Sequence, residues 1–257
     1  MGAITMINSM RIYPALHPNA GDLLIPQTHE HHGGLFQGTD SRSLYEESLR
    51  TQAPDWIYRT KPVTYTWNTN GYRAPEWSAV DFEASILVMG CSHIAGVGLD
   101  DKDTVSECLT RLMGIPCINL GVGGGSSDVL LYNSLRLIDL GHRPQAVVCL
   151  APDATRMAYF GTPTHNLGSW LLREKDYSPF YTLMYQSFVG REPNAELHGY
   201  MSQRGISDAW RAVGVPVRVW QQWELARLDQ ARDLAHPGVK TAQHWADVMA
   251  EWLHQNI

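Results

Sequence analysis

The hydrophobic rhythm of the chain changes at about residue 85. Beyond that point, short apolar runs at 85–89, 117–120, 146–150 and 215–220 alternate with stretches of helical period. Runs of that length read as buried strands, and strands alternating with helices predict βαβ units around a parallel sheet. Asp103 or Thr104 caps a first helix that carries Leu109 and Leu112 and stops at Gly114. Ser126 or Ser127 caps a second, with Val129, Leu130, Asn133, Leu137 and Ile138 inward and Gly141 at its end. A last helix, from 239 to about 253, places Ala242, Trp245, Met249 and Trp252 on one core-facing stripe.

Before residue 85 the periodicity is weak. A short helix over 41–50 puts Leu44, Tyr45, Ser48 and Leu49 on one face. Val63, Tyr65 and Trp67 alternate as in a half-buried strand, and Asn70-Gly71 marks a turn. Residues 1–84 are therefore expected to form an arm packed on an α/β domain of residues 85–257. The section from about 155 to 214, rich in Tyr, Pro and Gly, is too long for one crossover and predicts an insertion bordering the site.

Each strand end carries a small or polar cluster: Gly90-Cys91-Ser92, then Asn119 to Gly125, then Ala151-Pro152-Asp153. A parallel sheet brings all three to one edge, where open α/β sheets bind ligands. Ser92, on the turn after the first strand, is the candidate nucleophile. The glycines suit a loop whose backbone N–H groups approach a reacting oxyanion, although they also loosely match a nucleotide-binding turn. A serine needs a base and an orienting partner. Asp233 and His236, three residues apart before the last helix, supply both types. Pro237 is expected at the first helical position, with His236 extended before it so that its ring faces the sheet edge.

These blocks together resemble the SGNH (GDSL-like) hydrolase family over roughly residues 60–257. Gly90 to Gly96 matches its nucleophile block, Asn119 to Gly125 its glycine block, Leu150 to Ala154 its third and Asp233 to Gly238 its closing block. The phrase from Asn68 to Arg73 also resembles one that precedes the nucleophile strand in such proteins. The resemblance implies a three-layer α/β/α sheet of flavodoxin-like type and a serine esterase or acyl hydrolase working through an acyl-enzyme. Ser92 would be its nucleophile, His236 its base and Asp233 the partner of the base. The N–H groups of Ser92 and Gly124 would hold the oxyanion. Cys91 stands where the family has Asp. Where the family has Gly-x-Asn-Asp, with an Asn donating to the oxyanion, this chain places Asp153 nearest the Asn position, and an ionised Asp only accepts. The expected substrate is a small ester, such as an acyl or acetyl group on a carbohydrate-like carrier. The alternative is an SGNH-like domain that has lost hydrolysis and serves a binding or structural role.

Composition narrows the rest. A net charge of -6 with no basic cluster argues against nucleic acid and an anionic membrane surface. No apolar run approaches the roughly 20 residues of a membrane span, and no leader pattern opens the sequence, so a cytoplasmic protein is expected. Cys91, Cys108, Cys117 and Cys149 lack C-x-x-C spacing and read as buried thiols. His29-Glu30-His31-His32 has metal-binding side chains, but not at helical metal-site spacing, and is expected to be a solvated loop. No metal or cofactor is expected.

Overall fold

Along the first strand, successive side chains point to opposite faces, and both faces are covered. In the computed structural model, which describes residues 24–25, 34–160, 164–173, 178–189 and 193–257, this strand is β1 (Ile86–Gly90). It pairs in parallel with β2 (Cys117–Gly121) on one side and β3 (Ala146–Leu150) on the other. Ile86 and Val88 enter one core with Val105, Leu109, Trp245 and Met249, whereas Leu87 and Met89 enter a second with Leu130, Leu137, Ile206 and Trp210. A strand buried on both faces needs helices on both.

The helices follow from the same pattern. α1 (Arg42–Thr51) belongs to the arm and is capped by Ser41, whose hydroxyl accepts from Leu44 N. After β1 come α2 (Ser92–Ala95) and α3 (Val105–Met113), the latter capped by Thr104 and ended by Gly114. α4 (Ser127–Asp139) links β2 to β3. The long section after β3 holds the hairpin β4 (Met157–Tyr159) and β5 (His165–Leu167), then α5 (Pro179–Val189) and α6 (Asn194–Ala212). β6 (Val217–Trp220) closes the sheet in the order β2-β1-β3-β6, and α7 (Val239–Asn256) ends the chain. This is an α/β/α sandwich with the strand order of a flavodoxin-like sheet through four strands.

Two local expectations change. The run Val63, Tyr65, Trp67 is buried in alternation but makes only one isolated bridge, Gly34 to Tyr65. Its remaining backbone donors find side chains instead: Thr64 N donates to Asp100 and Thr66 N to Asp101, at 2.9 and 3.2 Å. Alternation reports burial, and it does not require a strand neighbour. Pro237 also differs, lying before the Gly238 cap of α7 and bridging to Gln230. His236 O accepts from Ala231 N at 2.8 Å, so residues 229–238 close on themselves as a loop.

The Asn68 to Arg73 phrase has a mechanical role. Gly71 turns the chain at φ +77°, and Arg73 then reaches under the turn that follows β1. Its guanidinium donates to the carbonyls of Ala95, Gly96, Leu99 and Thr64 and to Asp101. The four cysteines are free and buried. Burial pushes the Cys117 and Cys149 thiols up to about 12, the latter aided by Cys91 nearby. Among the described residues no helix is long and apolar enough to cross a membrane, and no cluster of His, Cys, Asp and Glu could hold a metal ion. The histidines at 29, 31 and 32 lie outside the described residues.

Candidate active site

Ser92 stands at the carboxyl end of β1, as the first residue of a single helical turn. That turn fits because β2 ends in glycine: a Cβ on Gly121 would lie 2.2 Å from Ala95 N. Asn119 is buried beneath it, donating to Ile94 O at 2.9 Å and accepting from Gly121 N at 2.9 Å. Asn119 thus braces the turn from below. Cys91 is fully buried at the turn's entry.

Asp233 and His236 arrive on the closed loop before α7. His236 Nε2 lies 2.8 Å from Ser92 Oγ, and His236 Nδ1 lies 2.6 Å from Asp233 Oδ2. The three-residue spacing works because Asp233 Oδ1 accepts from the backbone N–H of Ala235 and His236, bending the loop around the carboxylate. Leu234, at its centre, is the only non-glycine with positive φ among the described residues, at 57°. Backbone held there costs about 1–2 kcal/mol. Arg227 secures the far side by donating to Ala235 O and His236 O.

The arm supplies a residue that no sequence motif announced. Thr39 Oγ1 donates to Asp233 Oδ2 at 2.6 Å and lies 3.5 Å from His236 Nδ1. Burial raises the pKa of Asp233, but the bonds from His236 and Thr39 outweigh it and hold the carboxyl down at about 2. Next door, Arg232 forms a buried ion pair with Asp40 at 2.7 Å, and Tyr65 OH donates to the same carboxylate at 2.5 Å. Arg232 also lies over the rings of Phe36 and Tyr45. A residue pair 192 positions apart leaves no local trace in sequence.

The glycine loop after β2 presents backbone toward the edge where Ser92 stands. Gly124 sits at φ +66°, with Trp170 lying against it, 3.2 Å from where a Cβ would be. Neither Ser92 N–H nor Gly124 N–H is used by the backbone hydrogen bonds of the described residues. Asn166 donates to Gly123 O at 3.1 Å and fastens the hairpin to this loop. Asp153 is exposed beyond β3, and its Oδ1 accepts from Thr155 N and Oγ1 at 2.8 and 2.6 Å. It makes no hydrogen bond to Ser92, Gly124 or His236.

His93, beside the nucleophile, meets the His236 ring edge-on at a centroid distance of 5.5 Å. Burial, followed by the charges of His236, Arg156 and Arg227, pushes its pKa down to about 3, so the ring is neutral at physiological pH.

Ser92 after the first strand, glycines after the second and Asp233 with His236 before the last helix therefore meet at one sheet edge. The fold is an α/β/α sandwich around a parallel sheet. No family model matches the chain, and neither does any curated protein. Solved structures similar to this fold include an aryl esterase from M. smegmatis, with a TM-score of 0.37 at 11% identity over 67% of this chain and 99% of that one. A carbohydrate acetylesterase family member from Sinorhizobium meliloti gives 0.35 at 10% identity, covering 66% and 98%. A chain described as a GDSL-like lipase, from Bacteroides ovatus, gives 0.37 at 14% identity over 68% of this chain. The match spans about half of that longer protein, 53%.

Proposed function

We propose that the protein is a serine ester hydrolase that removes a small acyl group through an acyl-enzyme. The observation that carries this reading is the continuous line Ser92 Oγ, His236 Nε2, His236 Nδ1, Asp233 Oδ2, with contacts of 2.8 and 2.6 Å. In the reaction, His236 Nε2 takes the Ser92 proton as Oγ attacks the ester carbonyl carbon. The carbonyl electron pair moves onto oxygen, where the N–H groups of Ser92 and Gly124 receive it. Collapse breaks the bond to the alcohol, which leaves with the proton held by His236. Water then repeats the sequence on the acyl-enzyme and frees the acid and Ser92. Asp233 stays ionised throughout, fixes the tautomer of His236 and stabilises its charged form.

The absence of the family's Asn donor shapes the expected rate. One oxyanion donor is worth about 10²–10³ in turnover, so a site with two backbone donors is expected to be slow on unactivated esters. The indole of Trp170 against Gly124 limits the space beside the carbonyl and favours short acyl groups.

The deciding experiment pairs 4-nitrophenyl acetate turnover with labelling by a fluorophosphonate. Wild type should hydrolyse the ester and carry one adduct on Ser92. Ser92→Ala should lose the adduct and at least ~10³-fold in kcat with its melting temperature preserved. A folded wild type that neither turns over nor labels would favour the binding-module alternative.

A further inference from the structure

One positive charge at the crevice has no counter-charge. Arg156 follows the end of β3 and precedes β4, and its guanidinium carbon lies 5.6 Å from the centre of the Trp170 ring. Trp170 lies against Gly124, so the stack Gly124, Trp170, Arg156 rises from the glycine loop beside Ser92. The charge of Arg156 is also felt at His93, which packs on His236. The guanidinium therefore stands over the indole that lies against the glycine loop.

The other arginines around the site are occupied. Arg73 holds four carbonyls and Asp101, Arg227 holds two carbonyls, and Arg232 is paired with Asp40. Arg156 has no ion pair among the described residues, and its Nη1 is buried without a hydrogen-bond partner. Most buried polar groups are satisfied, and one left unpaired costs about 1–3 kcal/mol, more when charged. A half-buried guanidinium held over an indole, without an ionic partner among the described residues, has the form of a carboxylate receptor.

We propose that Arg156, held by Trp170, is an anion subsite, and that the ester hydrolysed at Ser92 carries a carboxylate within reach of it. The inference rests on the hydrolase reading for the ester, whereas the subsite itself does not need turnover. The carboxylate can belong to the acyl portion, as in a dicarboxylic half-ester, or to the alcohol portion, as in an acylated hydroxy acid.

Two matched substrate pairs separate these sources: 4-nitrophenyl pentanoate against mono-4-nitrophenyl glutarate, and phenyl acetate against 4-acetoxybenzoate. Wild type should favour the charged member of one pair by roughly 10- to 100-fold in kcat/KM, as expected for a charge-assisted hydrogen bond. Arg156→Ala should bring that ratio close to 1, and Arg156→Lys should keep much of it. Equal ratios in wild type overturn the proposal, as does a preference that survives Arg156→Ala. A loss that is equal for charged and neutral esters also overturns it, because a donor to the oxyanion or a purely structural arginine would act in that way. If wild type hydrolyses none of them, the readout is the rise in melting temperature with glutarate. A rise in wild type that is absent in Arg156→Ala supports the subsite even though the hydrolase reading has failed. No rise in either sinks the subsite too.

Discussion

The two flanks of Ser92 differ in how completely their polar groups are satisfied. On the arm side, Asp40 with Tyr65 and Arg232, and Asp233 with Thr39 and His236, form two adjacent hydrogen-bonded groups in which each carboxylate has its donors. On the hairpin side, Arg156 stacks on Trp170 without an ionic partner and leaves Nη1 unpaired. A saturated network fixes positions, because moving any member strands a buried charge. An unsaturated group is available to a ligand. On the proposed reading, the arm flank sets the geometry of the reaction and the hairpin flank selects what reacts.

The largest break expected on the arm side comes from Asp40→Ala, which strands the Arg232 guanidinium in a buried setting. Removing one partner of a buried pair costs about 3–5 kcal/mol, so chemical denaturation should show a loss of that order. A loss below about 1 kcal/mol would mean that the network does not hold the arm.

His93, between the flanks, gives the next effect. Its folded pKa of about 3 lies below its ordinary value of 6.5, so between these pH values the unfolded chain binds a proton that the folded chain refuses. Stability from this group is complete above about pH 6.5 and drains away toward pH 3, amounting to roughly 3–5 kcal/mol at about 1.4 kcal/mol per unit. Asp233 adds a smaller decline in a lower window, from its ordinary 3.8 to about 2. His93→Gln should flatten the upper window only, read from urea midpoints across pH. An unchanged slope would show that the ring is protonated without cost.

Thr39→Val is the finest test of the division. It removes one donor from Asp233, which should let the carboxyl pKa rise from about 2. A hydrogen bond to a charged group is worth about 1.5–3 kcal/mol, part of which should appear as a roughly 10-fold fall in kcat with KM little changed. Thr39→Ser should restore most of it. If the variant instead alters the preference between charged and neutral esters, the two flanks are not separate in function.

Much of this site was legible before any coordinates. β1, β2 and β3 are continuous buried apolar runs and the last helix carries a periodic buried stripe, and both signals are local properties of sequence. Ser92, Gly124, Asp233 and His236 lie at the ends of those elements, so placing the elements brings the four residues together. The arm was not legible in the same way. Its alternating Val63, Tyr65 and Trp67 marked the buried face correctly but suggested a strand, because pattern does not say whether a backbone donor will find a strand or an aspartate. Thr39 and Arg156 carry no motif. Their importance comes from contacts with residues far along the chain or from the lack of a partner, and neither is written in a window of neighbours.

The bond from Thr39 to Asp233 bears on how this protein could be cut or recombined. A boundary drawn at residue 85 would keep every recognisable block, yet it would leave Arg232 without Asp40 and the triad carboxylate without one of its donors. On the proposed reading, the catalytic unit is therefore not coextensive with the α/β unit. A hybrid enzyme that borrows only the latter would inherit the reacting groups without the part that tunes them, and the arm should travel with any graft.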